Sequence, residues 1–71
     1  MRVMAEILPA HKEQVVQLDE KANGSDLLRA LRLAPDAYIL VRGDVPIAID
    51  ERLVEGDRIR VLAVVSGGSL K

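Results

Sequence analysis

Gly67 and Gly68 are the residues of this 71-residue chain best placed to do chemistry, although neither carries a side chain. They follow the basic-apolar run RIRVLAVV (58–65) and a single serine. A Gly-Gly segment threads a narrow channel and lets another enzyme's backbone come close. Were the chain cut after Gly68, its free carboxylate could be adenylated and then attacked by a nucleophile. Neither step asks for a side chain from the small protein itself. The ordinary reading of a terminal Gly-Gly-Ser is a flexible end, and it stands beside the chemical one.

The other candidates offer less. His11 is the single histidine, set in the polar stretch PAHKE with no second ligand or nucleophile near it in sequence, and a general base needs such company. The pairs Asp19-Glu20 and Asp50-Glu51 lie in connections, where charge is solvated surface. Arg42-Gly43-Asp44 spells an adhesion tripeptide but falls where a hairpin needs glycine and a polar residue. The glycines do not form a phosphate-binding loop. Without cysteine there are no disulfides, thiolate metal sites or cysteine nucleophiles.

Size and charge narrow the classes further. A chain this short buries only about 60% of its unfolded surface, which leaves no room for a deep pocket with a supporting shell, so an enzyme acting alone is not expected. A net charge of −1, one Tyr and no Phe or Trp disfavour direct nucleic-acid binding. No segment approaches the roughly 20 apolar residues of a membrane span. The N-terminal MRVMAEILPAHK is too short an apolar stretch for a signal peptide, so a cytoplasmic protein without cofactors of its own is expected.

The elements that must hold these residues can be read in order. RVMAEIL (2–8) and QVVQLD (14–19) read as a hairpin around PAHKE. Asn23-Gly24 marks a turn and Ser25 is placed to cap a helix with Asp26 in its first turn. Leu27, Leu28, Ala30, Leu31 and Ala34 form its apolar stripe over nine or ten residues, ended by Pro35. AYILVR (37–42) and VPIAI (45–49) read as strands around a Gly43-Asp44 turn, with Pro46 signalling an edge. DERLVEGD (50–57) crosses over with Leu53 and Val54 as anchors, and 58–65 is the last strand. The order β-β-α-β-β-β predicts an α+β fold, the β-grasp or ubiquitin-like arrangement, with a mixed sheet of about five strands packed on one helix. Residues 1–65 are expected to form the domain and 66–71 a flexible tail.

Alternation along the last strand turns Ile59, Val61, Ala63 and Val65 toward the helix and Arg58, Arg60, Leu62 and Val64 away from it. The same parity puts Met4, Tyr38, Leu40 and Arg42 on that outer face. Leu62, Val64, Leu40, Met4 and Arg60 are therefore the expected docking residues, since an exposed apolar patch marks a partner surface. Partial cover by loops is the alternative.

With SDLLRALRL, VEGDRIRVLAVVSGG and this order of elements in view, the sequence resembles the ThiS/MoaD group of ubiquitin-like sulfur carriers. Within it, the short archaeal and bacterial modifiers related to eukaryotic ubiquitin-related modifier are the most similar. The resemblance covers residues 1 to 68. It implies that a partner adenylyltransferase uses ATP to activate Gly68, that a sulfur donor converts it to a thiocarboxylate, and that an acceptor synthase or thiolase receives the sulfur for tRNA thiolation, thiamine or molybdopterin. It also implies conjugation through Gly68 to lysines of other proteins. ATP and any zinc belong to the partner. Ser69-Leu70-Lys71 depart from the pattern: either a processing protease removes them, or they are not native to the protein, or this copy has lost activation. The alternative is a non-catalytic interaction module that docks through the outer sheet face.

Overall fold

The computed structural model describes residues 1–64. Five strands, β1 (Arg2–Leu8), β2 (Lys12–Gln17), β3 (Tyr38–Arg42), β4 (Val45–Ile47) and β5 (Arg58–Ala63), make one sheet with the spatial order β2-β1-β5-β3-β4. Helix α1 (Gly24–Ala30) lies across it, and one 3₁₀ turn (Pro35–Ala37) leads into β3. β1 and β5 are parallel and every other pair antiparallel, which is the mixed β-grasp sheet expected. The first hairpin is tighter than the sequence suggests, because β2 already begins at Lys12.

The core is one apolar layer between α1 and the sheet. Val3, Ala5, Val16, Leu27, Leu28, Leu40, Leu53, Ile59 and Val61 are buried in it. No polar or charged side chain is buried among the described residues, so the layer owes its stability to the removal of apolar surface from water. Leu53 is fixed there by its N–H donating to the Ala22 carbonyl at 3.0 Å. Val54, the other expected anchor, is 57% exposed.

The helix is shorter than its apolar pattern suggests. Asn23, not Ser25, is the cap: its Oδ1 accepts from the Asp26 N–H at 3.0 Å, while Asp26 Oδ2 accepts from the Asn23 N–H at 3.0 Å. This reciprocal pair satisfies two donors at once. Moving the start back by two residues turns Gly24 inward. A Cβ there would collide with Leu40 Cδ1 and lie 3.1 Å from the Ile49 carbonyl oxygen, so glycine is needed for close packing. At the other end the Arg32 N–H donates to Arg29 O (3.0 Å) and the Leu33 N–H to Leu28 O (2.8 Å), a Schellman closure. Helix geometry thus stops before Pro35. Ala30 and Ala34 are exposed, and Leu31 with Leu33 completes the apolar face.

That closure leaves Arg32 at φ +62°, a left-handed conformation that costs an L-residue about 1–2 kcal/mol. Glycine removes this cost but loses about 0.5–1 kcal/mol of unfolded-state entropy. Arg32→Gly is therefore expected to stabilise the domain by about 0.5–1 kcal/mol, because Arg32 makes no ion pair among the described residues. The urea midpoint should rise with an unchanged slope; a fall would show that the arginine contributes more than its backbone costs.

Candidate functional site

β5 is the central strand of the sheet, held by β1 on one side and β3 on the other. Its start is clamped by the Val54–Asp57 turn. Gly56, at φ +83°, donates its N–H to the Arg2 carbonyl at 2.8 Å, and the Arg2 N–H donates to Glu55 Oε1 at 3.0 Å. Asp57 Oδ2 accepts from the Val54 N–H at 2.8 Å and from Arg42 Nη2 at 3.0 Å. At the far end the Val64 N–H donates to the Ala37 carbonyl at 2.9 Å, so pairing with β3 persists one residue past the strand. Gly67 and Gly68 lie outside the described residues. What the fold supplies is a pinned strand that carries the chain toward them.

The outer face of the sheet, away from α1, is made by alternate residues. β1 contributes Met4 and Leu8, and β5 contributes Arg58, Arg60 and Leu62; these do not belong to the core, whereas Val3, Ala5, Ile59 and Val61 do. Val64 continues the alternation and is 43% exposed. Met4, Arg60, Leu62 and Val64 thus stand on the face where the sequence reading places them.

Leu40 does not. β3 pairs with β5 as Leu40↔Val61 and Ile39↔Leu62, so Leu40 shares the helix-facing side with Val61 and is 1% exposed. The face assignment of β3 is corrected by one residue: Tyr38, Leu40 and Arg42 point to the helix side, Ile39 and Val41 outward. Ile39, 46% exposed, and Val41 belong to the outer surface, as does Val15 of β2 opposite Met4. None of these was assigned a surface role from sequence.

Arg42 explains the error. It lies at the end of β3, and its guanidinium leaves the apolar layer sideways to reach the Arg52 carbonyl at 2.9 Å, Asp57 at 3.0 Å and Glu51 at 3.4 Å. An arginine on the inner face is stable because its stem covers apolar atoms while its head is paired at the rim. The Arg42-Gly43-Asp44 tripeptide is accordingly a hairpin tip, with Gly43 at φ +62° and its arginine committed to the fold.

Two shallow grooves share Met4 and Arg58, one running to Arg60, Glu6 and the Gly43-Asp44 tip, the other to Arg2, Val15 and Glu55. Arg60 donates to the Gly43 carbonyl and sits 3.5 Å from Asp44. Arg58 has no ion pair among the described residues. The remaining titratable groups do not converge. His11 is exposed, 3.4 Å from Glu6, and Asp19 caps the Lys21 N–H at 3.3 Å. No group of three metal-ligating residues exists among the described residues, and no described helix is long and apolar enough to cross a membrane.

A mixed five-stranded sheet grasping one helix, with its central strand leading to a diglycine, defines a ubiquitin-like protein. The model of the family described as small archaeal modifier protein 2 matches residues 1–65, and the chain belongs to that family. An uncharacterized protein of Archaeoglobus fulgidus is 29% identical over 55 residues, covering 73% of this chain and 81% of the relative. Among solved structures, SAMP1 from Haloferax volcanii superposes with a TM-score of 0.76 at 20% identity, over 96% of this chain and 100% of that one. The Caldiarchaeum subterraneum ubiquitin does so with 0.70 at 14% identity, over 96% and 98%. At these identities the superpositions establish the β-grasp fold.

Proposed function

We propose that this modifier acts through the carboxylate of Gly68, exposed when a protease removes Ser69-Leu70-Lys71. A partner adenylyltransferase joins the carboxylate to AMP and releases pyrophosphate from ATP. A nucleophile then displaces AMP: the terminal sulfur of a donor protein's persulfide forms an acyl disulfide, which a thiol cleaves to leave the thiocarboxylate and a disulfide on the donor, and a lysine amine, losing a proton, gives an isopeptide bond to a target. The chain is the co-substrate of these steps and not their catalyst. Its setting is the cytoplasm, where ATP and the partner enzymes are available.

The observation that carries this reading is the junction of family and sequence. The family match runs to residue 65, and Gly67-Gly68 follow it within three residues. The arrangement of the titratable groups supports it, since His11 and the acidic pairs lie apart on the surface. A protein whose reactive group is its own backbone carboxylate has no use for such a cluster.

Intact mass of the untagged protein from its own host tests the proposal. Expected is a species ending at Gly68, part of it heavier by the exchange of one oxygen for sulfur, or target peptides bearing the diglycine on lysine. A population that retains Lys71 under every growth condition would leave the carboxylate masked. The reading as an interaction module docking through the outer sheet face would then replace this one.

A further inference from the structure

The sheet ends on two strands that have one neighbour each, β4 and β2. β4 has three residues with Pro46 at its centre, which removes a donor and blunts that edge. β2 has six residues and no proline. Its hydrogen-bonding pattern follows from the pair at its end. The Leu18 N–H donates to the Met1 carbonyl at 2.7 Å, and the Met1 amine donates to the Leu18 carbonyl at 2.6 Å. Such bonded pairs alternate along an antiparallel ladder. Val16, Gln14 and Lys12 therefore bond inward to β1, while Gln17, Val15 and Glu13 turn their N–H and C=O groups to the open edge. No turn or loop among the described residues takes up these groups.

The side chains of the same three residues stand on the outer face, because Val16 between them is buried in the core. Val15, in the middle, is 57% exposed and in register with Met4. Glu13 lies at one end of the open edge. Gln17 lies at the other, and behind it, in register on β1, is Arg2. Neither Glu13 nor Arg2 has an ion pair among the described residues. Arg2 meets Glu55 only through its backbone N–H. From one end to the other the edge thus runs anionic, apolar, cationic, an order complementary to its own reverse.

We infer that β2 pairs antiparallel with β2 of a second copy of this chain, about a two-fold axis through Val15. The axis sets Val15 against the partner's Val15. Glu13 faces the partner's Gln17, with the partner's Arg2 next beyond it. Neighbouring strands lie about 4.8 Å apart, so the backbones of Glu13 and that arginine are about 10 Å apart. Extended side chains close this gap, and symmetry makes the contact twice. Other registers lose these matches: an axis at Glu13 opposes two carboxylates, and an axis at Gln14 sets Glu13 on the partner's Val15. The ladder is short, so the association is of the weak, concentration-dependent class. Because β5 is parallel to β1 and β1 antiparallel to β2, the two β5 strands point to opposite ends of the joined sheet. The inference goes beyond the Gly68 reading and does not depend on it.

Sedimentation velocity and amide spectra of the full chain, from micromolar to millimolar concentration, test the pairing. Expected is a passage from monomer to dimer in which the amides of Glu13, Val15 and Gln17 shift and those of Ile39 and Leu62 do not. Val15→Lys, which places two ammonium groups on the axis, should abolish the dimer. Glu13→Arg and Arg2→Glu, each doubled by symmetry, should raise the Kd at least about tenfold. An equal mixture of those two variants should regain the dimer, because arginine then meets glutamate at both contacts. A variant that merely misfolds would not recover on mixing. A chain that stays monomeric at millimolar concentration overturns the inference and leaves the β2 edge to a strand of different chemistry. It is equally overturned by a dimer that survives Val15→Lys, that mixing does not restore, or whose shifts fall on Ile39 and Leu62 instead.

Discussion

Leu40→Ala is expected to destabilise the domain by about 4 kcal/mol, near the upper part of the range for buried leucine truncation, because the void it leaves has little means of closing. Leu40 Cδ1 lies against Gly24, a position with no side chain to lean in. The backbone around Gly24 cannot move in either, since the Gly24 N–H donates to Glu51 O at 3.1 Å and the Ser25 N–H to Ile49 O at 2.7 Å. Domains of this size have a net stability of roughly 3–5 kcal/mol, so the variant should be largely unfolded at room temperature. Ile39→Ala, one residue away, should stay within about 0.5 kcal/mol of the parent, as surface substitutions do. Urea unfolding followed by far-UV circular dichroism compares the two. Costs in the reverse order would mean that β3 is registered one residue off, since a single-residue slip exchanges the faces.

That pair of substitutions also shows where the sequence is legible. In β5 the alternation Arg58-Ile59-Arg60-Val61 names its own faces, because charge and apolar character change places at every step. In β3 the run Tyr38-Ile39-Leu40-Val41-Arg42 is apolar in its middle, and only its ends carry polar atoms. Those ends share a parity with Leu40, so a rule that turns polar residues outward puts Leu40 outside with them. The rule fails because Arg42 carries its Nη2 to partners at the rim, the Arg52 carbonyl and Asp57, 10 and 15 residues away, while its Nε stays buried without a hydrogen-bond partner. No local pattern contains that information.

The helix boundaries fail for a related reason. Ser25 and Asn23 are both capping residues by chemistry, and Asp26 could serve either. The choice falls on Asn23 because the close approach of Gly24 to Leu40 and Ile49 requires glycine inside the first turn. Element order, the single helix, the Gly43-Asp44 hairpin and the edge position of β4 were all legible, since each depends on residues adjacent in sequence. Assigning Leu8, Val15 and Ile39 to a surface required the register between strands.

Gly68→Ala is expected to lower the rate of adenylation and of conjugation by at least about 100-fold, with no change in the urea midpoint. The two halves of that expectation have separate causes. The stability of the fold comes from the layer between α1 and the sheet, and residue 68 lies beyond the last strand, Arg58–Ala63, so a methyl group there leaves that layer untouched. In the proposed function, reactivity instead depends on the carboxylate reaching ATP through a channel shaped for a backbone without side chains, where a displacement of about 1 Å can cost 100-fold. Gly67→Val should add to this, because a β-branched residue narrows the backbone conformations available next to the reacting carbon. The measurement is single-turnover formation of the acyl adenylate by the host's enzyme, with chains that end at residue 68. A protein that serves only by docking its outer face would bind its partner equally well with alanine or glycine at that position. Retained exchange in Gly68→Ala would thus separate carboxylate chemistry at Gly68 from any need for glycine there, and retained binding without exchange in either form would favour docking alone.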